Sequence, residues 1–239
     1  MTVATIVFRR VLRAKRTWAL ALLPALGIVV GYMMLTNATD EKAAYAGYLS
    51  GLLFPLIVAL VSWVVAASAV TDERDELTIL YLAQTPVARL RTAVETWLAT
   101  WAASLILVAL PVLMAALLAR NADLAASSVL DVVVASVLAS AAYCGLGVLV
   151  GFFTKRAAIW GLVYVLLWES IMSGFAAGAR NLSISQHARA IAARGVDPWT
   201  RHEIDPPSTS AGVALVVLVA IVGVSLLLAG RRFSRMNLP

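Results

Sequence analysis

The chain alternates between long apolar runs and short charged segments. Six runs of about 20 residues carry almost no charge. At a rise of about 1.5 Å per residue, each is long enough to cross the ~30 Å hydrocarbon core of a bilayer as an α-helix. A helix satisfies all its backbone N–H and C=O groups within the segment, as the bilayer core requires. The predicted spans are residues 18–36, 48–70, 96–118, 132–153, 157–178 and 211–230.

Composition supports this pattern. Of the 239 residues, 62% are hydrophobic and 13% are charged, and the mean hydropathy is +0.89. Soluble domains carry about 25% charged residues, so this chain has too few to cover a water-facing surface. No linker and no internal repeat divides it. The sequence therefore predicts one all-α transmembrane domain over residues 1–239.

The net charge of +6 is a topology signal. An even number of spans places both termini on one side, and that side collects most of the basic residues, whereas the short loops opposite hold only Lys42 and Arg120. This asymmetry predicts cytoplasmic termini. Arginine outnumbers lysine 16 to 3, which favours a bacterial plasma membrane. The basic residues concerned are Arg9, Arg10, Arg13, Lys15, Arg16, Arg74, Arg89, Arg91, Lys155, Arg156, Arg231, Arg232 and Arg235.

Two segments outside the spans have amphipathic helical patterns. In residues 1–17, Ile6, Val7, Val11 and Leu12 share one face between arginines, which predicts a helix lying in the membrane interface rather than a simple extension of the first span.

The extracytoplasmic segment 179–210 has Ser185 as a predicted N-cap, and Gly195 as a predicted stop. Its small apolar residues oppose its arginines, which predicts either a short amphipathic helix on or in the outer leaflet or a solvated loop.

The segment 71–91, TDERDELTILYLAQTPVARLR, interrupts the apolar pattern between the second and third spans. Its four acids would lie in the first turn of a helix beginning at Thr71 or Asp72, where they complement the helix dipole. An apolar stripe follows, and Thr85-Pro86 ends this helix and starts another. The pattern predicts a short helix that presents a surface. The acids are Asp72, Glu73, Asp75 and Glu76, and the stripe is Leu77, Leu80 and Tyr81.

This segment resembles the first cytoplasmic loop of ABC-2-type permeases, the membrane subunits of one class of ATP-driven exporters. That loop typically has the pattern E-R-E-x-G-T-L-x-x-L-L-x-x-P-V-x-R, and Leu77 stands where the family usually has glycine. The six-span layout, the basic N-terminal helix and the segment before the last span also resemble the family. The matching residues are Glu73, Arg74, Glu76, Thr78, Leu80, Leu82, Pro86, Val87 and Arg89.

The resemblance implies a coupling helix that docks in a groove of a separate ATPase. It implies a permease that pairs with a second copy or a sibling, binds two ATPase subunits, and exports a substrate. No Walker A motif occurs in this chain, so ATP and Mg would be bound by the partner, and the chain itself would be neither an enzyme nor the holder of a cofactor. The coupling residues implied are Asp72, Glu73, Arg74, Glu76, Leu77, Thr78, Leu80, Tyr81, Pro86 and Arg89.

Glu169 is the one ionisable residue well inside a predicted span. A charge at that depth costs roughly 2.5–3.5 kcal/mol on insertion scales, so it should face the bundle or a wet cavity. Two interpretations stand side by side: a residue of the translocation pathway, together with Trp168 and Ser170, or a structural carboxyl that binds the fifth span to a neighbour.

Other features indicate less. His187, His202, Glu203 and Asp205 match no metal-ligand spacing, so no metal site is predicted. The mostly apolar interior favours an amphiphilic or lipid-like substrate. Two other classes of function remain: an ATP-independent, ion-coupled transporter or channel that uses Glu169, and a non-transporting membrane scaffold. Small residues in the fourth span allow close helix approach, namely Gly145, Gly147 and Gly151.

Overall fold

The computed structural model describes residues 3–75, 89–172, 181–205 and 209–234. Within these ranges the chain forms helices joined by short turns, and no strand occurs. Two of the helices have the wider π-type turn. The helices are α1 (Val3–Arg13), α2 (Lys15–Leu20), α3 (Leu22–Asn37), α4 (Glu41–Gly47), π1 (Tyr48–Val58), α5 (Ala59–Asp75), α6 (Arg89–Asn121), α7 (Ala126–Phe153), α8 (Ala157–Val163), π2 (Tyr164–Met172), α9 (Ile184–Ala192), α10 (Pro198–Ile204) and α11 (Ala211–Ser234).

The described residues contain five helices long and apolar enough to cross a membrane. They coincide with five of the predicted spans and indicate a membrane-embedded protein. At the fifth predicted span, α8 and π2 form a helix over residues 157–172, and the predicted continuation to residue 178 lies outside the described residues. The five helices are Thr17–Asn37, Glu41–Asp72, Leu90–Asn121, Ala126–Phe153 and Ala211–Phe233.

The second long helix is the centre of the bundle. In its most apolar part 78% of the residues are buried, against 17% in the first and in the last long helix. It combines α4, π1 and α5, and α5 packs against both α6 and α7. The first and last helices expose large apolar side chains such as Leu22 and Val216, as a lipid-facing helix requires.

Close approach of α5 and α7 depends on glycine. A Cβ at Gly147 would lie 2.8 Å from the Trp63 carbonyl oxygen and 2.9 Å from the Ala66 Cβ. At Gly151 a Cβ would lie 2.8 Å from the Val70 Cβ. Two of the three small residues predicted to allow close packing, Gly147 and Gly151, therefore lie at the central contact of the bundle, whereas Gly145 faces Ser225 of α11.

Both described ends of the chain lie at one end of the bundle. The Ala4 backbone N–H donates to Glu95 Oε2 at 3.4 Å, which places α1 beside the start of α6. Gly230, near the end of α11, lies against Leu90. We call this the basic end because it carries charged side chains at Arg9, Arg10, Lys155, Arg156, Arg231 and Arg232.

The N-terminal helix exists, but its apolar face has a different partner from the one predicted. Val7 and Val11 are buried, and α1 packs against α6, whereas Ile6 stays 55% exposed. Ala14 has an extended backbone with ψ 128° and separates α1 from α2, so α1 is a distinct helix and not an extension of the first span. The apolar face therefore binds largely to protein, and placement in the membrane interface stays a prediction.

The segment after the fifth span is corrected in two ways. Its helix begins at Ile184, and the N-cap is Ser183, whose side chain accepts from the Gln186 N–H, rather than Ser185. This helix, α9, is also not at a surface, because eight of its nine residues are buried. It packs against α7, α11 and π1. The predicted short helix is therefore present at residues 184–192 and the solvated loop is wrong there, whereas the placement of this helix in the outer leaflet stays a prediction.

Candidate functional site

The most polar site inside the bundle surrounds Glu169. This residue belongs to π2, and its side chain is 1% exposed. It follows Ala157 by twelve residues, well inside the helix that α8 and π2 form together. A carboxylate at such a position requires nearby donors to replace the water it has lost.

Within the described part of the chain, five donors to Glu169 are seen. Glu169 Oε2 accepts from the Ser183 and Ser185 hydroxyls, both at 2.5 Å, and from the Ser185 N–H at 3.3 Å. Glu169 Oε1 accepts from the Ile184 N–H and from the Tyr164 hydroxyl, each at 3.1 Å. Four of these donors come from the N-terminus of α9. The carboxylate therefore joins π2 to the first turn of α9.

The arrangement follows from what a helix N-terminus needs. The first N–H groups of a helix have no partner within it, and inside a bilayer no water replaces one. Ser183 satisfies the Gln186 N–H, and Glu169 satisfies those of Ile184 and Ser185. The negative charge also lies at the positive end of the α9 dipole. Glu169 is thus an anion bound at a helix N-terminus, with the anion supplied by another helix.

This geometry bears on the two interpretations of Glu169. The contacts are those of a carboxyl that binds the fifth span to a neighbouring segment. Trp168 is half-buried, and the side chain of Ser170 lies outside the described residues. A pathway formed by these three residues stays a prediction.

A second charged contact holds the same helix further along. Arg189 Nη2 donates to the Ser50 carbonyl oxygen in π1 at 2.6 Å. The sequence pattern predicts Arg189 on the polar face of a surface helix, whereas in the structure its side chain reaches the central helix. The available signal was Pro55, which lies within a long apolar run and must leave a carbonyl without its usual donor.

A cluster of buried hydroxyl groups links the three central helices. The Ser62 hydroxyl of α5 donates to the Ser140 hydroxyl of α7 at 2.9 Å, and the Ser104 hydroxyl of α6 lies 2.8 Å from the same oxygen. The Cys144 thiol donates to the Ser62 carbonyl at 3.4 Å. Such bonds between membrane helices contribute about 0.6 kcal/mol each, so they fix how α5, α6 and α7 face one another.

The predicted coupling residues are only partly described. Thr71 does not start a helix, because α5 runs without a break from Ala59 to Asp75, and the Thr71 hydroxyl bonds back to the Ser68 carbonyl at 3.1 Å. Asp72, Glu73 and Arg74 therefore lie in the last turn of α5, which corrects the predicted helix start. Nothing between Val70 and Asp75 breaks a helix, so the span continues. Arg89 begins α6, and Glu76, Leu77, Thr78, Leu80, Tyr81 and Pro86 lie outside the described residues.

The end of the bundle opposite the basic end has its own ion pair. Lys42 Nζ lies 2.9 Å from Asp197 Oδ2. Asp197 also caps α10, accepting from the Thr200 N–H at 3.0 Å and from the Thr200 hydroxyl at 2.9 Å. The Thr200 N–H above all, then the Lys42 ammonium and the Thr200 hydroxyl, hold the pKa of Asp197 well below its usual value.

This lowered pKa predicts a specific pH dependence. Because the pKa is lower in the folded protein than the ordinary value of about 3.9, Asp197 stabilises the fold above pH 4. That contribution is lost as the pH falls further, through the folded-state value. In thermal unfolding, Asp197→Asn should lower Tm by a constant amount from pH 5 to 8, and the difference should shrink below pH 4. A Tm difference for Asp197→Asn that does not depend on pH would contradict the assignment.

Among the described residues, no group of three or more His, Cys, Asp or Glu side chains could hold a metal ion. A scan against protein-family models and a search of curated proteins both find no match for this chain.

Proposed function

We propose that the chain is the permease subunit of an ABC transporter of the ABC-2 type. Six spans, with both termini cytoplasmic in a bacterial plasma membrane, would form one half of a dimer with a second copy or a sibling. Two soluble ATPase subunits, which bind ATP and Mg, would drive alternating access and the export of an amphiphilic or lipid-like compound. The chain itself would hydrolyse nothing.

The arrangement of α5 and α6 supports this proposal most directly. Helix α5 continues five residues past Val70, the last residue of the second predicted span, which is about 8 Å at 1.5 Å per residue. Helix α6 starts seven residues before Thr96, where the third predicted span begins. Both helix ends lie at the basic end. The residues that resemble a coupling helix are therefore attached to two rigid helices that project beyond the apolar part of the bundle.

The Glu169 site also favours a permease over an ion-coupled transporter. A proton or cation carrier needs a carboxylate that can release its partners to bind the ion. Five donors already occupy both oxygens of Glu169, and two of them are backbone N–H groups. This saturation supports an anchoring role and leaves the energy source to a partner.

The proposal predicts that charge reversal in the loop uncouples the motor. In a complex reconstituted with its ATPase, the variant carrying Glu73→Lys and Glu76→Lys should lose substrate-stimulated ATPase activity, because repulsion prevents docking. Membrane insertion should remain normal. A matched control, Glu41→Lys with Glu203→Lys, changes the charge equally outside the loop, at residues α4 and α10 place far from it, and should keep stimulation. Unchanged stimulation in the loop variant, or an equal loss in the control, would contradict the proposal.

A further inference from the structure

The two π-helical segments share one neighbour. In a π-helix each carbonyl accepts from the N–H five residues ahead, rather than four. Segment π1 contains Pro55, which has no N–H. In the π pattern the carbonyl left without a donor is that of Ser50, five residues earlier, whereas in an α-helix it would be that of Gly51.

Arg189 supplies the missing donor at the position that the π pattern requires. Its Nη2 donates to the Ser50 oxygen at 2.6 Å, across 139 residues of sequence. An α-helical turn at this point would satisfy Ser50 with the Phe54 N–H and would leave Gly51 unpaired instead. Arg189 therefore binds the carbonyl that lacks a donor in the π pattern, and not the one that would lack a donor in an α-helix.

The second segment shows a similar match. Tyr164 and Glu169 are five residues apart, and their side chains hydrogen-bond at 3.1 Å. On an α-helix, facing side chains are three or four residues apart, so a pair at five fits the wider turn. Glu169 then binds the N-terminus of α9 through Ser183, Ile184 and Ser185. Segments π1 and π2 also contact each other.

We propose that α9 is a register lock: it holds π1 and π2 in the wide-turn register, through Arg189 at one segment and Glu169 at the other. Release of α9 would let both segments return to the α-helical register together. That change would turn the part of each helix before the segment relative to the part after it. The proposal goes beyond the proposed function and does not depend on it, since it concerns only contacts within this chain.

Rescue tests the lock at π1. Arg189→Met removes the donor and should lower Tm by about 5 °C, while Arg189→Lys, which keeps one donor, should lower it less. Pro55→Ala restores an N–H to this stretch, so it should recover most of the loss in the Arg189→Met background. Pro111→Ala is the matched control, a proline inside the long helix α6. Pro111→Ala should change Tm by the same amount whether residue 189 is Arg or Met, whereas Pro55→Ala should raise Tm more in the Arg189→Met background than in the parent. Equal gains from Pro55→Ala in the two backgrounds would overturn the assignment.

Communication between the segments tests the lock as a whole. In hydrogen exchange by mass spectrometry, Arg189→Met should speed exchange of residues 48–58, which Arg189 contacts, and of residues 164–172, which hold the other contact. Glu169→Gln should likewise speed exchange of residues 164–172, which contain the substitution, and of residues 48–58, which hold the Arg189 contact. Residues 96–104 of α6, a helix that packs chiefly on α1, α3, α5, α7 and α11, serve as the internal control and should keep their protection. Faster exchange confined to the segment nearest each substitution would overturn the proposal, because α9 would then not link the two.

Discussion

Replacing Gly147 with alanine is expected to destabilise the protein by about 2 kcal/mol. The new Cβ would lie 2.8 Å from the Trp63 carbonyl oxygen and 2.9 Å from the Ala66 Cβ. Neither atom belongs to a flexible side chain that can rotate away, so α5 and α7 must separate. Separation also stretches the hydrogen bond between Ser62 and Ser140, which is 2.9 Å long in the native packing. Thermal unfolding of the purified protein in one detergent measures the loss.

Gly223 provides the matched control. It also lies within a long apolar helix, α11, and a Cβ there meets nothing within 4 Å. Alanine has the higher helix propensity, by about 1 kcal/mol, so Gly223→Ala should be neutral or stabilising. If Gly147→Ala proves as harmless as Gly223→Ala, the two central helices are not in the contact described above.

The helices could be predicted from the sequence because, in a bilayer, each segment must form its backbone hydrogen bonds within itself. Each apolar run must pair its own backbone groups, so its length and composition are sufficient to predict a helix. Their ends were harder to predict. At Thr71 the acids suggested a helix start, but no glycine or proline separates them from Val70, and the helix continued to Asp75. The favourable position of the acids at a helix N-terminus therefore had less effect on the helix bounds than the continuous run of residues that extends α5.

The buried position of α9 could not be predicted from its own pattern. Residues 184–192 are amphipathic, which is equally typical of a helix on a membrane surface. What decides its position is a pair of long-range contacts: Glu169 lies 14 residues before Ser183, and Ser50 lies 139 residues before Arg189. Glu169 is unusual in the sequence as a carboxyl group inside an apolar run, but its partners are not evident from that run. A lone carboxylate followed by Ser-x-Ser at a helix start is the signal that could have found them.

Replacing Glu169 with alanine should have the largest effect of any single change, a loss of about 3–5 kcal/mol in the free energy of unfolding. The substitution leaves the N–H groups of Ile184 and Ser185 buried without their acceptor, at a depth where water does not replace it. The Ser183 and Ser185 hydroxyls can still hydrogen-bond to each other, at 3.0 Å, so the loss of the carboxylate costs them less than it costs the two N–H groups. The stability of Glu169→Gln should fall between those of the parent and the alanine variant. An amide keeps one acceptor oxygen, but its NH2 group would face groups that are themselves donors.

The control is Glu203→Gln, which makes the same chemical change at an exposed position in α10 and should leave stability within about 0.5 kcal/mol of the parent. Thermal unfolding ranks the variants, and hydrogen exchange of residues 184–186 locates the damage. If α9 is anchored by Glu169, those amides should lose protection in Glu169→Ala before the rest of the bundle does. A Glu169→Ala variant as stable as Glu203→Gln, with α9 still protected, would mean that Ser183 alone caps the buried helix. The carboxylate would then be free for another role, and the ion-coupled alternative would regain its strongest support.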